Sequence, residues 1–171
     1  MKTPFRVLLT TIAATAALAA CSGKKAVKPP PPPVDNGPVT SAPTAGGRYT
    51  VESLDKDPCL RQRTIYFDLD KTDIHSEFQA QIACHSEYLR QFPGARVTLE
   101  GNADERGTRD YNQGLGERRG NAVSSALSAA GASTSQLNVV SYGEERPVCR
   151  EHNESCWQKN RRVDIVYTSK Q

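Results

Sequence analysis

Residues Gly101 to Arg119 read GNADERGTRDYNQGLGERR, and the reading of this stretch decides the fold. Upstream, Val97-Thr98-Leu99-Glu100 alternates apolar and polar residues, the pattern of a half-buried strand. Downstream, Tyr111 to Ala130 carries Tyr111, Leu115, Ala122, Val123, Ala126 and Leu127 at helical spacing, and Gly131 is suited to close that helix. The stretch is therefore a strand-to-helix turn. Two of its charges stand out: Asp104 lies in the turn, and Arg119 falls on the apolar stripe. Helical residues follow one another at about 100°, which puts Arg119 only about 40° from Leu115 and turns Arg118 away. A desolvated guanidinium needs an anionic or hydrogen-bonding partner. Two readings meet that need. Asp104 and Arg119 form an internal ion pair, or they hold a zwitterion between them. In the second case the guanidinium fork grips a carboxylate, Asp104 accepts from an ammonium, and backbone N–H groups of the turn add to the carboxylate site. The matching ligand is an amino acid with amine and carboxylate on one carbon.

Working outward, Thr64-Ile65-Tyr66-Phe67 reads as a short strand, and Asp68 to Thr72 as the turn that leaves it. Asp73 to Phe92 reads as a helix, with Ile74, Phe78, Ile82, Leu89 and Phe92 on one stripe and Pro93-Gly94 as the stop. His85 shares that stripe and is expected as a buried, hydrogen-bonded core histidine. Leu137 to Tyr142 reads as a third strand, Glu154 to Asn160 as a short helix, and Val163, Ile165 and Tyr167 alternate in a last strand. The order β-α-β-α-β-(α)-β predicts an α+β domain with two main helices on one sheet.

The N-terminus has the layout of a signal peptide over residues 1–20: Lys2 and Arg6, then an Ala-rich apolar run too short for a convincing transmembrane helix. It ends in Leu18-Ala19-Ala20-Cys21, which resembles the bacterial lipobox and implies lipidation of Cys21. Multiple acyl chains anchor firmly to a membrane. Ser22, where an Asp tends to mark inner-membrane retention, favours the outer membrane. Residues 21–58, with prolines from Pro29 to Pro33, read as a flexible tether reaching on the order of 100 Å at full extension. The folded domain is assigned to residues 59–171. Without Lys2 and Arg6 the chain holds 20 basic and 19 acidic residues, so no basic face for nucleic acid is implied. Beyond Cys21, four cysteines remain for an oxidising compartment, and the favoured pairing is Cys149–Cys156 with Cys59–Cys84. The rival is a metal site at Cys149, His152 and Cys156, which lacks a fourth ligand and a standard zinc spacing.

One motif points to catalysis. Asp68-Leu69-Asp70-Lys71-Thr72 after an apolar strand has the D-x-D-x-T form of Mg²⁺-dependent phosphatases, in which the first Asp attacks phosphorus. That chemistry also needs further parallel strands carrying a Lys and an acidic cluster, and this short domain offers no such layout.

Several segments together resemble a known family: Tyr66 to Lys71, Glu100 to Thr108, Tyr111-Asn112, Leu115 to Arg119, Val140 to Gly143, and Asn160 to Arg162. They are similar to the peptidoglycan-associated lipoprotein family, whose domain belongs to the OmpA C-terminal-like group. The lipobox and the Pro-rich tether match as well. The resemblance implies an α+β fold with two main helices on one mixed four-stranded sheet, and a binding and tethering module rather than an enzyme. It implies non-covalent binding of peptidoglycan through the meso-diaminopimelate of the stem peptide, with no cofactor and no metal. By motif position Asp104 takes the ammonium and Arg119 the carboxylate. Leu69, Asp70 and Leu115 line the pocket, with backbone N–H groups near Asp70, and Arg106 and Asn112 join it. The resemblance further implies partnership with TolB and the Tol complex in envelope integrity and division. An OmpA-like lipoprotein that binds peptidoglycan without TolB is the alternative. Asn102 stands where many members have His. Gly120 and Asn121 replace a usually Ala-rich segment, which is expected to loosen that helix turn.

Overall fold

The computed structural model describes residues 47–171. The signal-peptide segment, Cys21 and the proline run lie outside the described residues. Four strands form one mixed sheet: β1 (Thr64–Tyr66), β2 (Arg96–Asn102), β3 (Leu137–Gly143) and β4 (Arg162–Ser169), in spatial order β1-β4-β2-β3. Strand β4 is antiparallel to both β1 and β2, whereas β2 and β3 run parallel. A parallel pair needs a crossover, here the long helix α3 (Arg109–Ala129). Helix α2 (Gln79–Gln91) packs beside α3, and the short α4 (Glu154–Asn160) leads into β4.

The core lies between the sheet and the helices. Ile65, Val97, Leu99, Val163 and Ile165 come from the sheet, Phe67 from just beyond β1, and Ile82, Leu89, Val123 and Leu127 from α2 and α3. Alternation along β2 follows the pleat, with Val97, Leu99 and Gly101 buried. Thr108 caps α3 by accepting from the Tyr111 N–H at 3.3 Å, and Gly131 (φ 109°) ends it in the left-handed conformation.

Two boundaries differ from the sequence reading. Residues 49–58, assigned to the tether, belong to the domain: Tyr49 and Leu54 are buried in the core. Leu54 sits in a four-residue helix, α1 (Ser53–Lys56). So short a helix is unstable alone, and burial of a leucine, worth about 1.5–3 kcal/mol, holds it. Secondly, the helix expected from Asp73 begins later. His75 is extended (ψ 149°), a 3₁₀ turn covers Ser76–Phe78, and α2 starts at Gln79.

Gly101 and Gly116 let α3 lie directly on β2: a Cβ on Gly101 would stand 1.9 Å from the Gly116 carbonyl oxygen. Gly120 repeats the contact one turn on, where a Cβ would stand 2.5 Å from Val139 Cγ1. The expectation that Gly120 loosens this turn is corrected: it permits close packing. Gly101→Ala must push α3 outward and is expected to cost about 2–3 kcal/mol. A urea midpoint equal to wild type would contradict that contact.

His85 is fully buried on α2, as its stripe position predicts. Its Nε2 lies 2.9 Å from the Gln62 carbonyl oxygen and its Nδ1 2.9 Å from the Tyr167 hydroxyl. A carbonyl only accepts, so Nε2 carries the proton and Nδ1 accepts from Tyr167. Burial pushes His85 down to about 4; the Gln62 hydrogen bond opposes this and the Arg63 cation adds to it. The unfolded chain takes up this proton near pH 6.5, well before the folded domain does. His85 therefore contributes its full stability above about pH 6.5, and on the order of 3 kcal/mol is lost as pH falls towards 4. In His85→Gln the stability–pH slope over this window should flatten; an unchanged slope in urea titrations would refute the assignment.

Candidate functional site

The pressing of α3 onto β2 and β3 decides the environment of Arg119. Its side chain is fully buried, the largest such side chain among the described residues. Nε donates to the Lys71 carbonyl, Nη1 to the Asn102 carbonyl and Nη2 to the Asp68 carbonyl, each at 2.9 Å. The Phe67 ring packs against the guanidinium, 5.3 Å from its carbon to the centroid. A guanidinium has five N–H donors. Three are used here, and one on each terminal nitrogen remains. Among the described residues no carboxylate forms an ion pair with Arg119. Burial lowers its pKa to about 10, Arg161 adds to the shift, and Asp104, Asp70 and Tyr111 oppose it, so it is charged at neutral pH.

Asp104 follows β2 and is 3% exposed. Its Oδ1 accepts from the Arg106 backbone N–H at 3.0 Å and from Arg106 Nε at 3.1 Å. Its Oδ2 accepts from Arg106 Nη2 at 2.8 Å and from Arg161 Nη1 at 3.2 Å. The internal Asp104–Arg119 ion pair, one of the two sequence readings, is therefore corrected: Asp104 pairs with Arg106 and Arg161. Burial raises the Asp104 carboxyl, but the hydrogen bonds from Arg106 and Arg161 outweigh it and hold the carboxyl below its ordinary value.

Leu69, Asp70, Asp104, Arg106, Asn112, Leu115 and Arg119 line one cleft, so the structure brings all the sequence-predicted residues together. They come from three places: the turn after β1, the turn after β2, and α3 from its first turn to its middle. Asp70 has a positive φ of 57°, a conformation that Asp tolerates better than most residues. Its carboxylate accepts from the Tyr111 hydroxyl. The Leu69 and Asp70 N–H groups have no hydrogen-bond partner among the described residues. Asn112 is buried, donating to the Asp104 carbonyl at 3.1 Å and to the Glu144 carboxylate. Leu69 is half exposed and Leu115 buried, so the apolar wall has an outer and an inner part.

Two further residues line the cleft, Tyr111 and Arg161. Tyr111, expected on the core face of α3, is 43% exposed and closes the cleft over Asp70 instead. Its position in the first turn, beyond the end of the sheet, is the signal that places it at the site. Arg161 is buried, and its Nε donates to the Phe67 carbonyl at 3.0 Å. It ends α4 just before the alternation of β4 begins, so strand periodicity gives no warning that its side chain turns inward.

The cysteines pair as Cys59–Cys84 and Cys149–Cys156, with Cα–Cα distances of 6.3 and 5.2 Å. Bonded sulfurs are not thiolate ligands, which removes the rival metal site; His152 contacts Glu105 instead, at 2.5 Å. The D-x-D-x-T motif follows β1, which among the described strands pairs only with the antiparallel β4. Asp68 there contacts His75 at 3.0 Å and Asp70 binds Tyr111. Among the described residues, no parallel strand flanks the motif as phosphatase chemistry requires.

Residues 66–161 match the model of the OmpA family. The peptidoglycan-associated lipoprotein of Haemophilus influenzae is 43% identical over 127 residues, covering 74% of this chain and 80% of that one. That of Pseudomonas putida is 47% identical over 114 residues, covering 66% and 68%. The crystal structure of the peptidoglycan-associated lipoprotein from Burkholderia pseudomallei matches with a TM-score of 0.66 at 40% identity, over 68% of this chain and 98% of that chain. The OmpA-like domain of FopA1 from Francisella tularensis, at 22% identity and a TM-score of 0.52, shares the fold. The chain belongs to the OmpA family, and the Haemophilus and Pseudomonas relatives it matches are peptidoglycan-associated lipoproteins.

Proposed function

We propose that this chain is an outer-membrane lipoprotein, anchored through Cys21, whose domain binds peptidoglycan non-covalently and so ties the membrane to the cell wall. The ligand group is the zwitterionic end of meso-diaminopimelate in the stem peptide. One observation carries the reading: Arg119 is a fully buried cation held by three main-chain carbonyls, with no carboxylate of its own, on the wall of a cleft beside Asp104. A charge so desolvated is completed by an anion. Its two remaining N–H donors suit a carboxylate, with the Leu69 and Asp70 N–H groups beside them, and Asp104 serves the ammonium. Leu69 and Leu115 meet the aliphatic chain behind that head. The names of the relatives support the same reading. Partnership with TolB and the Tol complex, implied by the resemblance, belongs to the proposal. Retention of TolB by the immobilised full chain tests it, and failure to retain TolB removes that part alone.

Co-sedimentation with purified sacculi tests the site. Asp104→Ala and Arg119→Lys should each weaken binding roughly ten- to a hundredfold, the value of charge-assisted hydrogen bonds lost from a buried site. Lysine keeps the charge of Arg119 but not its fork. If both variants, shown to be folded, sediment as wild type does, the site assignment is wrong. Asp104 is held below its ordinary value and Arg119 stays charged up to about 10. Neither group titrates between about pH 5 and 8, so binding should be flat across that range. A titration inside it would place another group in the site.

A further inference from the structure

A carboxylate offers about four acceptor positions. Asp104 has all of them filled, three by Arg106 and one by Arg161. An ammonium can reach Asp104 only by replacing a donor. The Arg106 backbone N–H is part of the turn, and Arg161 is buried with further bonds to Phe67 and Glu154. That leaves the Arg106 side chain, which is 30% exposed. It is also held from its other side: its guanidinium lies 4.1 Å from the centroid of the Trp157 ring, and Nη1 is 3.3 Å from the Glu154 carboxylate.

We propose that Arg106 is an internal stand-in for the ligand's ammonium, holding Asp104 until that ammonium takes its place and keeping its contacts with Trp157 and Glu154 as it lets go. This inference rests on the zwitterion reading above. Charge supports the exchange. Arg106, Arg119 and Arg161 face Asp104 and Asp70 across the cleft, three cations against two carboxylates. Glu154, which pairs with both Arg106 and Arg161, is the third carboxylate, so the cluster is balanced as a whole, which suits a ligand head that is itself neutral. Two N–H donors leave Asp104, from Nε and Nη2, and the ammonium brings three. Arg106 thereby selects for a free amine. A ligand without one leaves Asp104 in the hands of Arg106 and gains nothing from it.

The test is calorimetric titration of the detergent-solubilised full chain with meso-diaminopimelate and with its di-N-acetyl form. Arg106→Ala should bind meso-diaminopimelate roughly five- to tenfold more tightly than wild type, reflecting one charge-assisted contact no longer displaced. The acetylated form should show no such gain. Arg106→Gln must move the affinity in the same direction. Equal or weaker binding of meso-diaminopimelate by both variants would overturn the exchange and make Arg106 a direct contact or a bystander. A gain shared equally by the acetylated form would overturn it as well. If neither wild type nor variants bind meso-diaminopimelate, the zwitterion reading itself fails and the exchange falls with it.

Discussion

The buried guanidinium of Arg119 is the interaction on which the rest of the site depends. It draws together the Asp68 and Lys71 carbonyls from the turn after β1 and the Asn102 carbonyl from the end of β2. These segments are far apart in sequence and are joined by no strand pairing, since β4 lies between β1 and β2. A cation at their junction bonds main-chain acceptors of all three and so ties the two turns together. It does so only because α3 lies against β2 through Gly101 and Gly116, which lets the helix carry the side chain to that depth. Backbone packing and site geometry are thus one constraint.

The electrostatics follow from this arrangement. Three guanidiniums share a small cleft, and burial of Arg119 is tolerated because carbonyl dipoles take the place of water. Asp104 remains ionised for a complementary reason: its burial is outweighed by donors on both oxygens. The cleft holds charges of both signs, and its polar groups are held from behind. Asn112 fixes the Asp104 carbonyl and Glu144, Tyr111 fixes Asp70, and Arg161 ties Asp104 to the Phe67 carbonyl.

The two disulfides serve the same frame from outside. Cys59–Cys84 joins the segment before β1 to α2, and Cys149–Cys156 closes the loop that opens α4. Asn160, at the end of α4, accepts from the Val148 and Cys149 N–H groups and donates to the Cys149 carbonyl. The next residue is Arg161, so this loop fixes the start of the arginine that reaches Asp104.

Much of this was legible in the sequence. Strand alternation and helical stripes are local, and they located the four strands and the two main helices. The helical angle alone showed that Arg119 faces inward. The same reasoning misassigned Tyr111, because periodicity says which way a residue faces and not whether the core still extends beneath it. It placed residues 49–58 in the tether, because a Pro- and Gly-rich approach conceals the one leucine that makes a long-range contact. It missed Arg161 as a site residue and left Asp104 between an ion pair with Arg119 and a ligand's ammonium. By itself, then, the sequence determined the four strands, the two main helices, their order and the inward set of Arg119, since these depend on spacing along the chain. Tertiary structure alone decided which charges meet: Asp104 with Arg106 and Arg161, and Arg119 with three carbonyls. Side-chain pairing depends on how strands and helices cross, and that crossing was set by glycine contacts between residues distant in the chain.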